Sequence, residues 1–283
     1  MNREILNKVA EKCYLPANRM FQRLVEENDG RFRMALSISG MVIEQMERYR
    51  PDVLESFQQL VATGSVELLA ETYYHSLAFV HSNKEFERQV ELHLQKLEDV
   101  FHVRPRVFRN TELIYNNAIA AKAETMGFDG IIAEGVERNL NGRSPNFLDR
   151  APTTARIKTL LRNTPLSDDL GFRFSDPNWP GHPLTAEKFA DWIADCEGDV
   201  MQQESIAKVH RVEPEILAVN DPDLTDTSAK MQTSDHFYWM STKGGPDGSV
   251  HRYFTPYPSP YDAYIYFMNV LADLQIRLRR AQE

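Results

Sequence analysis

Apolar positions along the chain fall into two periods that take turns. From Ile5 to about Asn28 the residues Ile5, Val9, Tyr14, Met20, Phe21 and Leu24 recur at helical spacing, interrupted at Pro16 and stopped by Asn28-Asp29-Gly30. Phe32, Met34, Leu36 and Ile38 then alternate with other residues, which predicts a strand leaving through Ser37, Ser39 and Gly40. Val42, Met46, Tyr49, Val53, Phe57 and Leu60 return to spacings of three and four, and Pro51 suits the first turn of a second helix in tandem. Gly64-Ser65 closes that pair. The same alternation continues with a strand Val66 to Ala70, a helix Glu85 to Val100, a strand Arg106 to Phe108, a helix from about Ala118 to Met126, and a strand Phe128 to Ala133. Asn139 to Asp149 reads as a surface loop, Ile157 to Leu161 as a further strand, Phe172 to Phe174 as a strand-like run, and Leu184 to Asp195 as a helix capped by Thr185. Beyond Asp199 the strands stop: Val200 to Val209, Leu224 to Met240 and a last stretch through Tyr264, Met268, Leu271, Leu274 and Leu278 are helical, with a turn at Gly244 to Ser249.

Repeated helix-strand alternation predicts an α/β fold with a parallel sheet, whose carboxyl-terminal strand ends face one surface. The polar residues of this chain gather at those ends. Val107-Phe108 leads into Arg109, Asn110, Thr111 and Glu112; Leu69-Ala70 into Glu71, Thr72, Tyr73, Tyr74 and His75; Ile132-Ala133 into Glu134. Glu112 is the first candidate for a functional carboxylate, set against the plain alternative of an Arg–Glu pair that merely closes a strand.

Composition narrows the partners. Lys and Arg total 32 against 41 Asp and Glu, a net charge of −9, and the basic run at Arg277 to Arg280 is the longest, so a nucleic acid partner is not expected. The two cysteines, Cys13 and Cys196, lie far apart without a CxxC, which predicts neither a disulfide framework nor a thiolate metal site and points to a reducing, cytoplasmic home. Met1 leads straight into a charged helix and no apolar run reaches membrane-spanning length, so neither a signal peptide nor a membrane partner is expected.

Four chemistries compete for the strand-exit residues. A serine hydrolase elbow, GxSxG, is missing, as are GxGxxG and GxxxxGK[ST] phosphate loops. A metal-dependent polysaccharide deacetylase would use Asp168-Asp169 and two histidines four apart, but Phe79 stands where a partner for His75 should be. Glycoside hydrolysis by two carboxylates uses the largest share: Glu71, Tyr73, His75, Arg109, Glu112, Glu134, Asp168, Asp235 and His236, with Asn110 beside Glu112 and Trp179, between Pro177 and Pro180, as a sugar-stacking platform.

The segments Leu69 to Ser76, Phe108 to Tyr115, Leu166 to Asp169 with Phe172 to Phe174, and Gln232 to Tyr238 resemble the α-amylase-type branch of glycoside hydrolase family 57, over nearly the whole chain. The resemblance implies an incomplete (β/α)7-type barrel, a distorted TIM-like form, over residues 1–199 and a mostly helical C-terminal region over 200–283. It implies retaining action on α-glucans or maltooligosaccharides without cofactor or metal. By motif match Glu112 is the nucleophile, with Arg109 adjacent to it, and Glu71, His75, Asp235 and His236 bind or orient substrate. The sequence departs from the family twice. It starts at the helix that follows the family's His-Gln-Pro strand, and Asp199-Val200 runs directly into Met201-Gln202-Gln203-Glu204, which resembles a later helix. The intervening segment with the general-acid Asp is therefore expected to be absent, and no general acid is assigned. An α-glucan-binding homologue without catalysis, keeping Tyr73, His75, Trp179 and Asp235, is the alternative.

Overall fold

The computed structural model describes residues 2–135, 140, 142–168, 199–242 and 255–282. They form two compact units: Met1–Tyr73 with Lys84–Glu134 and Pro145–Arg162, and Tyr74–Asn83 with Gly135–Ser144 and Asn163–Glu283.

The first unit opens with α1 (Asn2–Val9) and α2 (Leu15–Glu27), joined by a π-helical turn at Ala10–Tyr14. The widening has a local cause. Pro16 has no N–H to donate and its ring crowds the carbonyl four residues back, so the ladder loosens one turn before it, with the Leu15 N–H reaching Ala10 O. Strand β1 (Met34–Ser37) is followed by α3 (Gly40–Tyr49), α4 (Pro51–Ala62) and β2 (Val66–Leu69). Gly64, at φ +73, makes the left-handed turn out of α4. After α5 (Ala78–His81), which belongs to the second unit, come α6 (Asn83–Phe101), β3 (Val107–Arg109), α7 (Asn117–Thr125), β4 (Gly130–Glu134), β5 (Asp149–Arg150) and β6 (Lys158–Arg162).

The strands of this unit follow chain order. β1 pairs parallel with β2, β3 with β4, and β4 with β6, while β5 lies antiparallel on the outer edge of β6. A single parallel bridge, Ala70 to Phe108, links β2 to β3. The core behind β1 and β2 is built from Ile43, Met46, Val53, Leu60, Leu68 and Leu97, and Phe86, Phe108 and Phe128 pack α6 onto β3 with ring centroids 5.6 and 5.4 Å apart.

The second unit is helical beyond the short α8 (Thr164–Asp168): α9 (Val200–Val219), α10 (Pro222–Met231), α11 (Ser234–Trp239) and α12 (Pro260–Gln282). Asp199 and Gln202 form a reciprocal capping box that starts α9. This helix runs ten residues past the expected end at Val209, straight through Pro214. The buried row Val209, Val212, Glu213 and Ile216 explains the continuation, because packing of one face outweighs the loss of one backbone hydrogen bond. Asn220 then turns left-handed, and Asp221 caps α10. The expected helix from Leu224 to Met240 is two helices separated at Gln232 and Thr233. The expected elements between Phe172 and Asp195 and the turn at Gly244 to Ser249 lie outside the described residues. Among the described residues no helix is long and apolar enough to cross a membrane.

One tight fit in the first unit is open to test. A Cβ on Gly40, the first residue of α3, would lie inside the van der Waals envelope of the Tyr73 ring, which is buried and anchored through its hydroxyl to Glu44 Oε1 at 2.5 Å. Gly40→Ala is expected to destabilise the chain by about 1–3 kcal/mol, read as a lower midpoint in urea unfolding with an unchanged slope.

Candidate active site

The site grows from the junction of β2 and β3. The Ala70 N–H donates to Val107 O at 2.9 Å and the Arg109 N–H to Ala70 O at 2.8 Å, so the two strands leave the sheet side by side. Two residues later the hydroxyls of Thr72 and Thr111, both without exposure, meet at 3.0 Å and tie the two exits together. Between them sits Glu71, 2% exposed. A carboxylate taken out of water is costly unless it is bonded and charge-compensated. Here Ser37 Oγ at the end of β1 donates to Glu71 Oε1 at 2.7 Å, and the Arg109 guanidinium lies 4.0 Å from Oε2. The Glu71 backbone N–H donates to His93 Nδ1 at 3.1 Å.

Glu112 is presented on a strained turn. It adopts φ 53 and ψ 23 inside a 3-10 turn at Thr111–Leu113, and Leu113 follows at φ 58. Left-handed backbone at non-glycine residues costs on the order of 1–3 kcal/mol each and persists only where neighbours enforce it. They do so here: the Leu113 N–H donates to Asn110 O at 3.0 Å and the Ile114 N–H to Thr111 O at 3.1 Å. The buried Asn110 side chain closes the loop by donating from Nδ2 to Ile114 O at 3.1 Å, and its Oδ1 accepts no hydrogen bond among the described residues. Asn116 Oδ1 then accepts the Ile119 N–H and starts α7. Sequence adjacency sets Arg109 beside Glu112, but the ion pair Arg109 makes is with Glu71. The left-handed turn carries Glu112 out of line with the strand, whereas the β2–β3 bridge brings Glu71 alongside.

One strand further along, Glu134 and Arg162 face each other in register at the ends of β4 and β6 and pair at 3.2 Å. The exits of the first unit thus carry two carboxylate–guanidinium pairs with Glu112 between them in chain order.

The second unit holds the other motif residues. His75 is itself left-handed at φ 50; its carbonyl accepts the Ser234 N–H at 3.2 Å, and Ser76 bridges to Thr233. The Glu71-to-Ser76 and Gln232-to-Tyr238 motifs, more than 150 residues apart in sequence, are thereby joined at Ser76 and Thr233. Asp235 is exposed in the first turn of α11. The His236 ring is enclosed by Trp239 and Phe267, with centroids 5.8 and 6.0 Å away, and this burial pulls its pKa down to about 4 against a weaker upward pull from the backbone at Lys230. Among the described residues no three His, Cys, Asp or Glu side chains come together as a metal site.

Comparison with known proteins places the chain in a family. The model of glycosyl hydrolase family 57 matches residues 1–211. The chain belongs to glycosyl hydrolase family 57. A protein of Methanocaldococcus jannaschii provisionally named an alpha-amylase is 34% identical over 99% of this chain and 78% of its own length. That alignment extends over 367 positions against a chain of 283 residues, so the relative carries internal segments without a counterpart here. Among solved structures, a family 57 branching enzyme from Thermococcus kodakaraensis superposes with a TM-score of 0.65 at 9% identity, covering 99% of this chain and 87% of that one. The 4-alpha-glucanotransferase of Thermococcus litoralis superposes at 0.55 and 13% identity, covering 88% of this chain but only 57% of that enzyme. At such identities the two superpositions speak for the fold.

Within this family 57 chain, Glu71, Tyr73, Arg109, Asn110, Glu112 and Glu134 are brought to the strand exits of the first unit, and His75, Asp235 and His236 to the second. Tyr73 is buried there, with its hydroxyl on Glu44. Asp168 ends α8 with its side chain outside the described residues, and Trp179 lies outside them altogether. Sequence reasoning missed His93 and Arg162. His93 shares the buried face of α6 with Phe86, Val90 and Leu97, and a polar residue on an apolar face was the available signal. Arg162 ends β6, so the rule that found the other exit residues would have found it.

The depressed His236 pKa has a pH signature. Between about pH 6.5 and 4 the unfolded chain takes up a proton that the folded chain refuses, so stability falls as pH is lowered through that window, by up to about 3 kcal/mol. His236→Gln is expected to flatten that part of the stability-versus-pH curve measured by denaturant unfolding.

Proposed function

We propose that this chain is a retaining glycoside hydrolase acting on α-glucans, with Glu112 as the nucleophile. The observation that carries the reading is the Glu112 turn: a carboxylate at a parallel-strand exit, held in left-handed backbone by three hydrogen bonds, three residues after Arg109 of the buried Glu71–Arg109 pair. Rigid presentation is what a nucleophile needs, since attack requires the reacting atoms aligned within about 3–3.5 Å. Glu112 Oε would attack the anomeric carbon as the bond to the leaving oxygen breaks; that oxygen takes a proton from solvent water, and water or an acceptor hydroxyl, returning its own proton to solvent, then displaces the carboxylate to restore the starting configuration. Arg109 and Glu134 are the hydroxyl partners at the exits, while buried Glu71 and Asn110 hold Arg109 and the Glu112 turn in place. By motif match His75, Asp235 and His236 are the substrate-binding candidates of the second unit; Asp168 and Trp179 stay candidates from the sequence alone, and Tyr73 positions the β2 exit. The names of the relatives, an alpha-amylase and a 4-alpha-glucanotransferase, support α-glucans as the substrate class.

Strand order in the first unit runs without reversal from β1 through β4 to β6, which favours an incomplete (β/α)7-type barrel over a doubly wound sheet. We read residues 1–199 as that catalytic-type barrel and 200–283 as its helical companion. The internal segments that the Methanocaldococcus relative has and this chain lacks agree with loss of the general-acid segment before α9. Turnover of ordinary glucosides is then slow, because a poor leaving group needs its proton.

A fluorinated α-glucosyl donor with a good leaving group separates the two halves of the chemistry. Intact mass and peptide mapping are expected to show one glucosyl adduct on the peptide containing Glu112, abolished in Glu112→Gln with the fold unchanged by circular dichroism. A folded chain that binds maltooligosaccharides in calorimetry yet forms no adduct would instead be a glucan-binding protein, and the nucleophile assignment would fall.

A further inference from the structure

His93 is fully buried on α6 and takes no part in the chemistry above, yet it is the side chain that joins the ends of β1 and β2. Its Nδ1 accepts the Glu71 N–H at 3.1 Å, and its Nε2 lies 2.8 Å from Ile38 O. A backbone N–H can only donate and a carbonyl can only accept, so these two partners dictate the proton: Nε2 carries it and Nδ1 stays bare. Burial favours the same neutral form and pulls the pKa below the usual histidine value, against the opposing attraction of Glu71. The groups facing the ring are few. The Tyr73 ring meets it edge-on with centroids 6.5 Å apart, and Glu71 approaches from β2 with Arg109 behind it; Gln89, one turn earlier on α6, is buried and bonded to Glu85.

Ser37 and Glu71, which His93 flanks on both sides, are the residues that meet at 2.7 Å. Moving either strand end by an ångström would break that bond and pull the carboxylate away from Arg109. We propose that His93, as the neutral Nε2–H tautomer, is the positioning residue of the sugar-binding face at the β1–β2 exits: it holds the Glu71 backbone so that the carboxylate stays between Ser37 and Arg109. The role rests on the α-glucan reading above for its consequence but not for its geometry.

Two substitutions separate the two bonds. Asn places an amide oxygen where Nδ1 was and can still accept from Glu71; Gln places an amide nitrogen where Nε2 was and can still donate to Ile38 but offers nothing to Glu71. In the full chain, the Glu71 amide of His93→Gln is expected to exchange with deuterium about tenfold faster than that of His93→Asn, the loss of one buried hydrogen bond. Calorimetric affinity for maltoheptaose is expected to follow the same order, weaker in His93→Gln than in His93→Asn. A role in packing alone would move both variants equally in both readouts, and that result overturns the proposal. If the unmodified chain binds no maltoheptaose, the α-glucan reading fails while amide exchange still decides the role of His93. Should either variant fail to fold, nitrogen NMR of the unmodified protein at neutral pH decides: a bare Nδ1 and protonated Nε2 support the proposal, and a protonated Nδ1 overturns it.

Discussion

A buried carboxylate is the constraint around which the first unit is arranged. Glu71 gives up nearly all its water at the end of β2, and a lone ion in that position would cost more than a domain can spare. The fold answers with a hydroxyl from β1 and a guanidinium from β3, while His93 on α6 fixes the backbone that carries the carboxylate. Each partner comes from a different element, so the compensation holds only when all of them are docked. The site is therefore a sensor of correct folding as much as a product of it.

The Glu112 turn shows the complementary strategy. Glu71 is stabilised by what surrounds it, whereas Glu112 is held in a backbone state that its own residue type disfavours. The strain is offset within five residues by Asn110 and the two turn hydrogen bonds, and the Thr72–Thr111 contact transmits the rigidity of β2 to it. Tension of this kind belongs where a reactive group must not relax into the surrounding protein.

Much of this was readable in advance. Apart from the short α5, strands and helices up to β4 follow from period and punctuation, since Pro51 and Gly64 act locally and need no partner to be interpreted. The motif segments Leu69 to Ser76 and Phe108 to Tyr115 likewise stand at strand exits. What local reading could not supply were the pairings. Arg109 looks like the partner of Glu112 because it is three residues away, but the lateral bridge between Ala70 and Phe108 gives it to Glu71. Pro214 looks like an end to α9, but tertiary packing of Val212 and Ile216 carries the helix past it. His93 stands on the apolar face of its helix, which marks it as buried, but its partners are backbone atoms of two strands and are not named by any side-chain pattern.

The antiparallel pairing of β5 has a consequence for behaviour in concentrated solution. A sheet of parallel strands that stopped at β6 would present a five-residue row of unsatisfied amides and carbonyls, a ready template for a second chain to extend. β5 occupies part of that row yet is two residues long, too short to serve as a template in turn, and its Arg150 lies opposite Lys158, two exposed charges that repel a like neighbour. On that flank the molecule is guarded against aggregation by a strand too brief to be copied.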